Sequence, residues 1–140
     1  MTDEQLKHIL ESARIIATVG LSDNPDKPSH DVARYLIRNG YRVIPVNPFV
    51  TAVFGEKAYP DLLSIPEKVD VVQVFRPSEA VPPIVDQAIQ IGAKVVWMQE
   101  DIVNEEAAAH ARAAGLEVVM DRCMKKTHRR LVKHNHGEHG

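Results

Sequence analysis

Residues 20–31 read GLSDNPDKPSHD, between the apolar run ARIIATV and the amphipathic segment VARYLIRNG. A glycine ends an apolar run, serines and a lysine follow, and a helix opens. That layout suits the binding of an anion, because free backbone N–H groups and the helix dipole both attract phosphate. Gly20, Ser22, Lys27, Pro28 and Ser29 are the candidates, with His30 beside Ser29 in the first helical turn. The loop lacks the second and third glycines of G-x-G-x-x-G, and it is not a GxxxxGK[ST] triphosphate loop.

Other residues able to do chemistry are few. Cys123 lies near Arg122, Lys125 and Lys126, cations that would lower a thiol's pKa. No His and acid pair stands at a spacing that would activate it, so a packed thiol is expected. His8 and His110 fall on helix surfaces. His134, His136 and His139 alternate in a short tail with no fixed geometry to offer a metal, and residues 134–140 are read as a flexible tail without a metal site.

These residues need elements to position them. A helix is expected over residues 2–13, with Thr2 and Gln5 at capping-box spacing. Strands are expected at Ile15–Val19, Arg42–Val46, Val69–Phe75, Lys94–Met98 and Glu117–Met120. Helices are expected from a Ser29 cap to Asn39, from Ser78 to Ile91, from Asn104 to Ala114 and over 124–134, with one or two helical turns at PDLLSIP. Alternating strands and helices on short links predict an α/β domain over residues 1–133: a doubly wound, five-stranded parallel sheet, order 3-2-1-4-5, with helices on both faces.

Composition agrees with one domain. The chain has 140 residues, 44% hydrophobic and 26% charged, with aromatics at only 5%, so the core must be aliphatic. One cysteine excludes an internal disulfide and fits a reducing compartment. No signal segment and no membrane span is read from the sequence, so the cytoplasm is expected. The net charge of −2 hides a basic end: residues 121–140 carry six Lys and Arg against two acids. Those basic residues spread over a wide helical arc with no interleaved aromatics, which argues against nucleic acid. The alanine-rich helix at 104–114 is open to two readings, burial within the monomer or contact with a second copy.

Ligands of such folds sit at the carboxyl ends of the strands. After the first strand come Gly20, Ser22, Lys27 and Ser29; after the second Asn47 and Pro48; after the third Arg76; after the fourth Gln99; after the fifth Arg122, Cys123 and Lys125. Four cations at one sheet edge point to a ligand with several negative charges. NAD is disfavoured, because Val46-Asn47-Pro48 supplies no acid for the ribose hydroxyl. An NAD(P)-type oxidoreductase component is the alternative reading.

The combination G-x-S with K-P-S, P-V-N-P, V-F-R, W-x-Q and D-R-C-x-K, spread over residues 5–133, resembles the small stand-alone coenzyme A-binding proteins. Their domain also occurs in the succinyl-CoA synthetase α-subunit and in ADP-forming acyl-CoA synthetases. The resemblance implies a Rossmann-like fold holding coenzyme A or an acyl-CoA by its adenosine and phosphate portion. It implies that Gly20 and Ser22 form the turn under the diphosphate, and that Lys27 and Ser29, joined by Pro28, contact phosphate. Asn47 and Pro48 would border the nucleotide, Phe75 and Arg76 would line the next wall, and Gln99 the crevice floor. Arg122 and Lys125 would stand at the far end, unless the D-R-C segment instead locks the last helix to the sheet. In the synthetases, catalysis uses a phosphohistidine domain and an ATP-grasp unit. The chain holds neither, so binding without catalysis is expected, with a homodimer or a synthetase-like partner left open. One departure stands out: family members carry glycine two residues after the glutamine of W-x-Q, where this chain has Asp101. An acid there would repel phosphate, and a positive φ would suit it less than glycine.

Overall fold

The computed structural model of the chain describes residues 1–132. The elements run α1 (Asp3–Ser12), β1 (Ile15–Val19), α2 (Pro28–Arg38), β2 (Arg42–Val46), β3 (Ala52–Val53), β4 (Glu56–Lys57), β5 (Val71–Val74), α3 (Val81–Gln90), β6 (Val95–Met98), α4 (Glu105–Ala113), β7 (Glu117–Val119) and α5 (Met124–Leu131). The five longer strands form one parallel sheet, and β3 and β4 form a small antiparallel hairpin.

Both sheet faces are covered, which explains why the strands read as nearly continuous apolar runs. On one face α1, α2 and α5 bring Leu6, Leu10, Leu36 and Met124 onto Ile16, Val71 and Trp97. On the other, α3, α4 and the link before β5 bring Leu62, Val81, Val85 and Ala108 onto Val72, Val74, Val96 and Met98. Ala107, Ala108 and Ala111 are therefore core residues of the chain's own fold. Histidines 134, 136 and 139, with the rest of the tail, lie outside the described residues.

The strand order is β2-β1-β5-β6-β7. In terms of the five long strands this is 2-1-3-4-5, and the expected 3-2-1-4-5 is corrected. Two features of the third strand, β5, account for it. First, Gln73 lies at its middle with no exposure, and a carboxamide buried there needs polar neighbours on both sides. Thr18 on β1 supplies one and Gln99, just past β6, supplies the other. An edge position would leave one side of Gln73 without a strand. Second, residues 47–70 contain no α-helix, only the hairpin and a 3₁₀ turn at Leu62–Ser64. Leu62, Ile65 and Val69 of this link lie on the face opposite α2. Right-handed crossovers that reverse direction along the sheet must change face in this way.

Local chemistry explains most boundaries. The Thr2 hydroxyl accepts from the Gln5 N–H, and the Gln5 side chain accepts from the Thr2 N–H, the reciprocal cap expected. Asn104 caps α4 by accepting from the Ala107 N–H at 2.9 Å. Ser29, expected to cap α2, does not. Pro28 occupies the first turn, so the helix opens at Lys27, which gives no side-chain cap. Ser78 likewise opens a 3₁₀ turn rather than α3. Pro82 and Pro83, which lack N–H groups, sit in the first turn of α3, where none is needed. The hairpin was not anticipated. Its turn is Phe54-Gly55, both at positive φ (56° and 77°), a turn that ordinarily announces itself as Asn-Gly. The Phe54 ring stacks on His30 at 4.3 Å between centroids, which gives that strained position a packing role.

Tyr41 fastens the amino end of β2. Its hydroxyl donates to the carbonyl of Leu10 in α1, and burial pushes its pKa up to about 12. A group with a raised folded pKa stabilises the fold fully below its unfolded value and loses that contribution as pH rises through the folded one. Stability should thus hold to about pH 10 and fall between there and pH 12. Denaturant midpoints measured across that window for the protein and for Tyr41→Phe should show a shallower fall in the variant.

Candidate functional site

The chain leaves β1 towards α2 on one face and leaves β5 towards α3 on the other. Between two such adjacent strand ends a crevice must open. Gly20 stands at its base with φ +90°, and a Cβ there would meet the Phe75 carbonyl oxygen at 2.7 Å. The Gly20 N–H donates to the Val46 carbonyl at 2.8 Å, so the ends of β2, β1 and β5 converge on this residue.

The loop beyond Gly20 is held by its own polar side chains. The Ser22 N–H donates to the Ser29 hydroxyl at 3.0 Å, and the Ser22 hydroxyl accepts from the Asn24 N–H at 3.0 Å. Asn24 in turn accepts from the Asp26 N–H. From the β2 side, the Asn47 carboxamide donates to the Leu21 carbonyl at 3.0 Å. Ser22, Ser29 and Asn47 are therefore fixed parts of a preorganised turn. Lys27, at the head of α2, is exposed, and among the described residues no ion pair or hydrogen bond engages its ammonium.

Two clefts meet at this edge. One, of about 550 Å³, lies over the ends of β2, β1 and β5. It takes in Gly20, Asn47, Pro48, Phe75 and Arg76, with an outer wall from Pro60–Leu62 and from Pro83, Ile84 and Gln87 of α3. The other, of about 440 Å³, lies between Pro28, the Phe75–Pro77 segment and residues 99–102. Phe75 and Arg76 line both, so the exposed Arg76 stands where they join.

Of the expected site residues, Gly20, Pro28, Asn47, Pro48, Phe75, Arg76 and Gln99 line these clefts, and Ser22, Lys27 and Ser29 build the turn beside them. Arg122 and Lys125 line neither. Lys125 reaches Asp31 at 2.8 Å, and that hydrogen bond holds the Asp31 carboxyl below its usual range. Arg122 uses its backbone: its carbonyl accepts from the Trp97 indole at 2.9 Å, and its N–H reaches the Met98 carbonyl. The D-R-C segment thus fastens α5 to the sheet. Cys123 is buried at the start of α5. Of the four cations expected together, Lys27 and Arg76 stand at the crevice without partners among the described residues.

Asp101 does adopt positive φ, at 68°, and its N–H donates to the Asp121 carboxylate at 2.7 Å. Asp121 is itself at φ 57°. Two acids in left-handed conformations clasp the loops after β6 and β7, and Asp101 lines the second cleft. Phe49 escaped the sequence reading. It is 88% exposed on the rim of the first cleft, and only its place after the Asn47-Pro48 strand stop could have marked it. Among the described residues no cluster of three His, Cys, Asp or Glu side chains could hold a metal, and no helix is long and apolar enough to cross a membrane.

Replacing Gly20 by alanine combines a left-handed backbone with overlap on the Phe75 carbonyl. It should cost about 3 kcal/mol of stability. Equilibrium denaturation should show a lower midpoint at unchanged slope.

The comparisons with known proteins agree with this geometry. The model of the CoA binding domain matches residues 14–129. The protein YneT of Bacillus subtilis is 41% identical over 124 residues, covering 89% of this chain and 92% of that one. The ADP-forming acetate–CoA ligase II of Archaeoglobus fulgidus is 32% identical over 93 residues. That match spans 65% of this chain but only 14% of the ligase. Among solved structures, a hypothetical protein from Pyrococcus horikoshii superposes with a TM-score of 0.92 at 44% identity, covering 94% of this chain and 93% of that one. The dinucleotide-forming acetyl-coenzyme A synthetase 1 of Ca. Korarchaeum cryptofilum, in its apo form, gives a TM-score of 0.67 at 29% identity, over 74% of this chain and 25% of that one. With its Rossmann-like parallel sheet and its crevice at the junction of β1 and β5, the chain belongs to the coenzyme A-binding domain family.

Proposed function

We propose that the protein binds coenzyme A or an acyl-CoA in the two joined clefts and carries out no covalent chemistry of its own. The observation that carries this reading is the shared wall of Phe75 and Arg76 between two clefts, beside the α2 N-terminus. A ligand with a phosphate-rich middle and two long arms matches that form. Its diphosphate would lie at Gly20, Ser22 and Arg76, with Lys27 and the first turn of α2 supplying positive potential.

The first cleft, largely apolar and rimmed by Phe49, suits a planar base. The rings of Pro48 and Pro60 and the side chains of Leu62 and Ile84 offer it flat apolar surface. The second cleft would take the other arm, past Gln99. Lys125 acts through the fold because its ammonium is engaged with Asp31, and Arg122 acts through its backbone bonds to Trp97 and Met98, with neither residue lining a cleft. An NAD-type reading has less support, because Asn47 spends its carboxamide nitrogen on Leu21 and no acid replaces it at the end of β2.

Calorimetric titration of ligand-stripped protein tests this. Coenzyme A should bind, more weakly at high salt and more weakly without its 3′-phosphate. Lys27→Ala and Arg76→Ala should each weaken it about tenfold, the worth of one charge-assisted hydrogen bond. Binding of NADP or ATP but not coenzyme A would overturn the reading. In the same titration Asp101→Gly should tighten binding by removing a negative charge from the cleft. Its stability should change by less than about 1 kcal/mol, because relief of the left-handed strain is offset by glycine's larger unfolded-state entropy.

A further inference from the structure

A row of buried polar side chains crosses the sheet beneath the second cleft. Thr18 on β1 and Gln73 on β5 have no exposure, and Gln99 beyond β6 is 5% exposed. The Thr18 hydroxyl lies 2.8 Å from Gln73 Oε1, Gln73 Nε2 lies 3.1 Å from Gln99 Oε1, and the Met124 backbone N–H lies 3.0 Å from that same oxygen.

The direction of every bond in this row follows from one group. A backbone N–H can only donate, so the Gln99 atom facing Met124 must be its oxygen. Gln73 must then turn its nitrogen towards Gln99, which leaves its oxygen towards Thr18. Thr18 must therefore donate. No amide in the row can flip without setting like against like. The oxygen of Gln99 already accepts twice. Its nitrogen has no partner among the described residues, yet no buried side-chain polar atom among them lacks one. That nitrogen must reach the surface, and the surface that Gln99 lines is the second cleft.

We propose that Thr18 and Gln73, neither of which lines the cleft, are positioning residues. Through them and the first N–H of α5, Gln99 presents a hydrogen-bond donor, and only a donor, to an acceptor oxygen of the bound ligand. The proposal rests on the coenzyme A reading. That ligand has two kinds of acceptor in reach of such a donor, phosphate oxygens and the amide carbonyls of its thiol-bearing arm. A ligand group that donates there would meet a second donor and be rejected.

The test uses Gln99→Glu, which keeps an oxygen for Met124 and Gln73 but turns an acceptor into the cleft. Affinity for coenzyme A should fall at least tenfold. If 3′,5′-ADP, which lacks the amide arm and the outer phosphate of the diphosphate, weakens equally, the contact is to a phosphate on the adenosine; if it is unaffected, the contact is to the outer phosphate or to a carbonyl of the arm. Thr18→Val should weaken binding by a smaller factor and Thr18→Ser should restore it. In the Gln99→Glu background Thr18→Val should cost no further affinity while still lowering stability, a pattern that a merely structural role would not give. Unchanged binding by Gln99→Glu, beside a wild-type chain that binds, would overturn the proposal and spare the functional reading. Silence from wild type and variant alike would overturn that reading instead. Exchange of side-chain amide hydrogens in the ligand-free protein decides the orientation independently. Those of Gln99 should exchange quickly and those of Gln73 slowly, and the reverse order would overturn the proposal even if Thr18→Val failed to fold.

Discussion

There is no room for a side chain between residue 20 and the carbonyl of Phe75. A Cβ at Gly20 would fall 2.7 Å from that oxygen, and the backbone takes a φ of +90° to pass it. From this close approach the rest of the site follows. It sets the loop after β1 directly against Arg76, and the Gly20 N–H bonded to Val46 draws the end of β2 to the same point. Three strand ends then share one small area. The chain departs from it to opposite faces, which opens the crevice in the middle of an otherwise closed edge.

Charge at this edge is more local than the basic end of the sequence suggests. Lys125 is neutralised by Asp31, Lys126 reaches Glu100 and Arg130 reaches Asp3. Arg130, with a smaller share from Arg122, holds the Asp3 carboxyl below its usual range. At the crevice, Lys27 and Arg76 have no ion-pair partner among the described residues, within a chain of net charge −2. The turn through Ser22, Asn24 and Ser29 spends the N–H groups of Ser22, Asn24 and Asp26 on its own side chains, which fixes the path of the loop beside those charges.

Most of the fold was legible because the five long strands are apolar runs flanked by glycine, proline or capping residues. The capping box at Thr2 and the cap at Asn104 follow from spacing alone. The strand order was not legible, because the decisive fact is tertiary. Gln73 reads as one polar letter in VVQV, and only the placement of Thr18 and Gln99 reveals why β5 must be central. The hairpin hid behind Phe54 in a left-handed turn, a conformation tolerated beside the His30 ring. At the site, residues chosen for their place after each strand line the clefts or their supporting turn, from Gly20 to Gln99. Arg122 and Lys125 have the right charge and the right strand end. Their partners, Trp97 and Asp31, lie far away in the sequence.

The missing helix between β2 and β5 leaves the first cleft with two walls of different kinds. One is sheet and α3, whose spacing is set by core packing. The other, Pro60–Leu62, belongs to a link held at separate points: Tyr59 against Pro45 and Asn47, Arg42 to Glu56 and Glu67, and the Leu62 N–H to Gln87 at 3.0 Å. Inserting residues between such fastenings costs little chain entropy and moves no strand. Relatives with this sheet can therefore differ in the width of that pocket while keeping the turn after β1 intact. The shape of that pocket can then diverge within a family through one unhelical strap, independently of the close approach at Gly20.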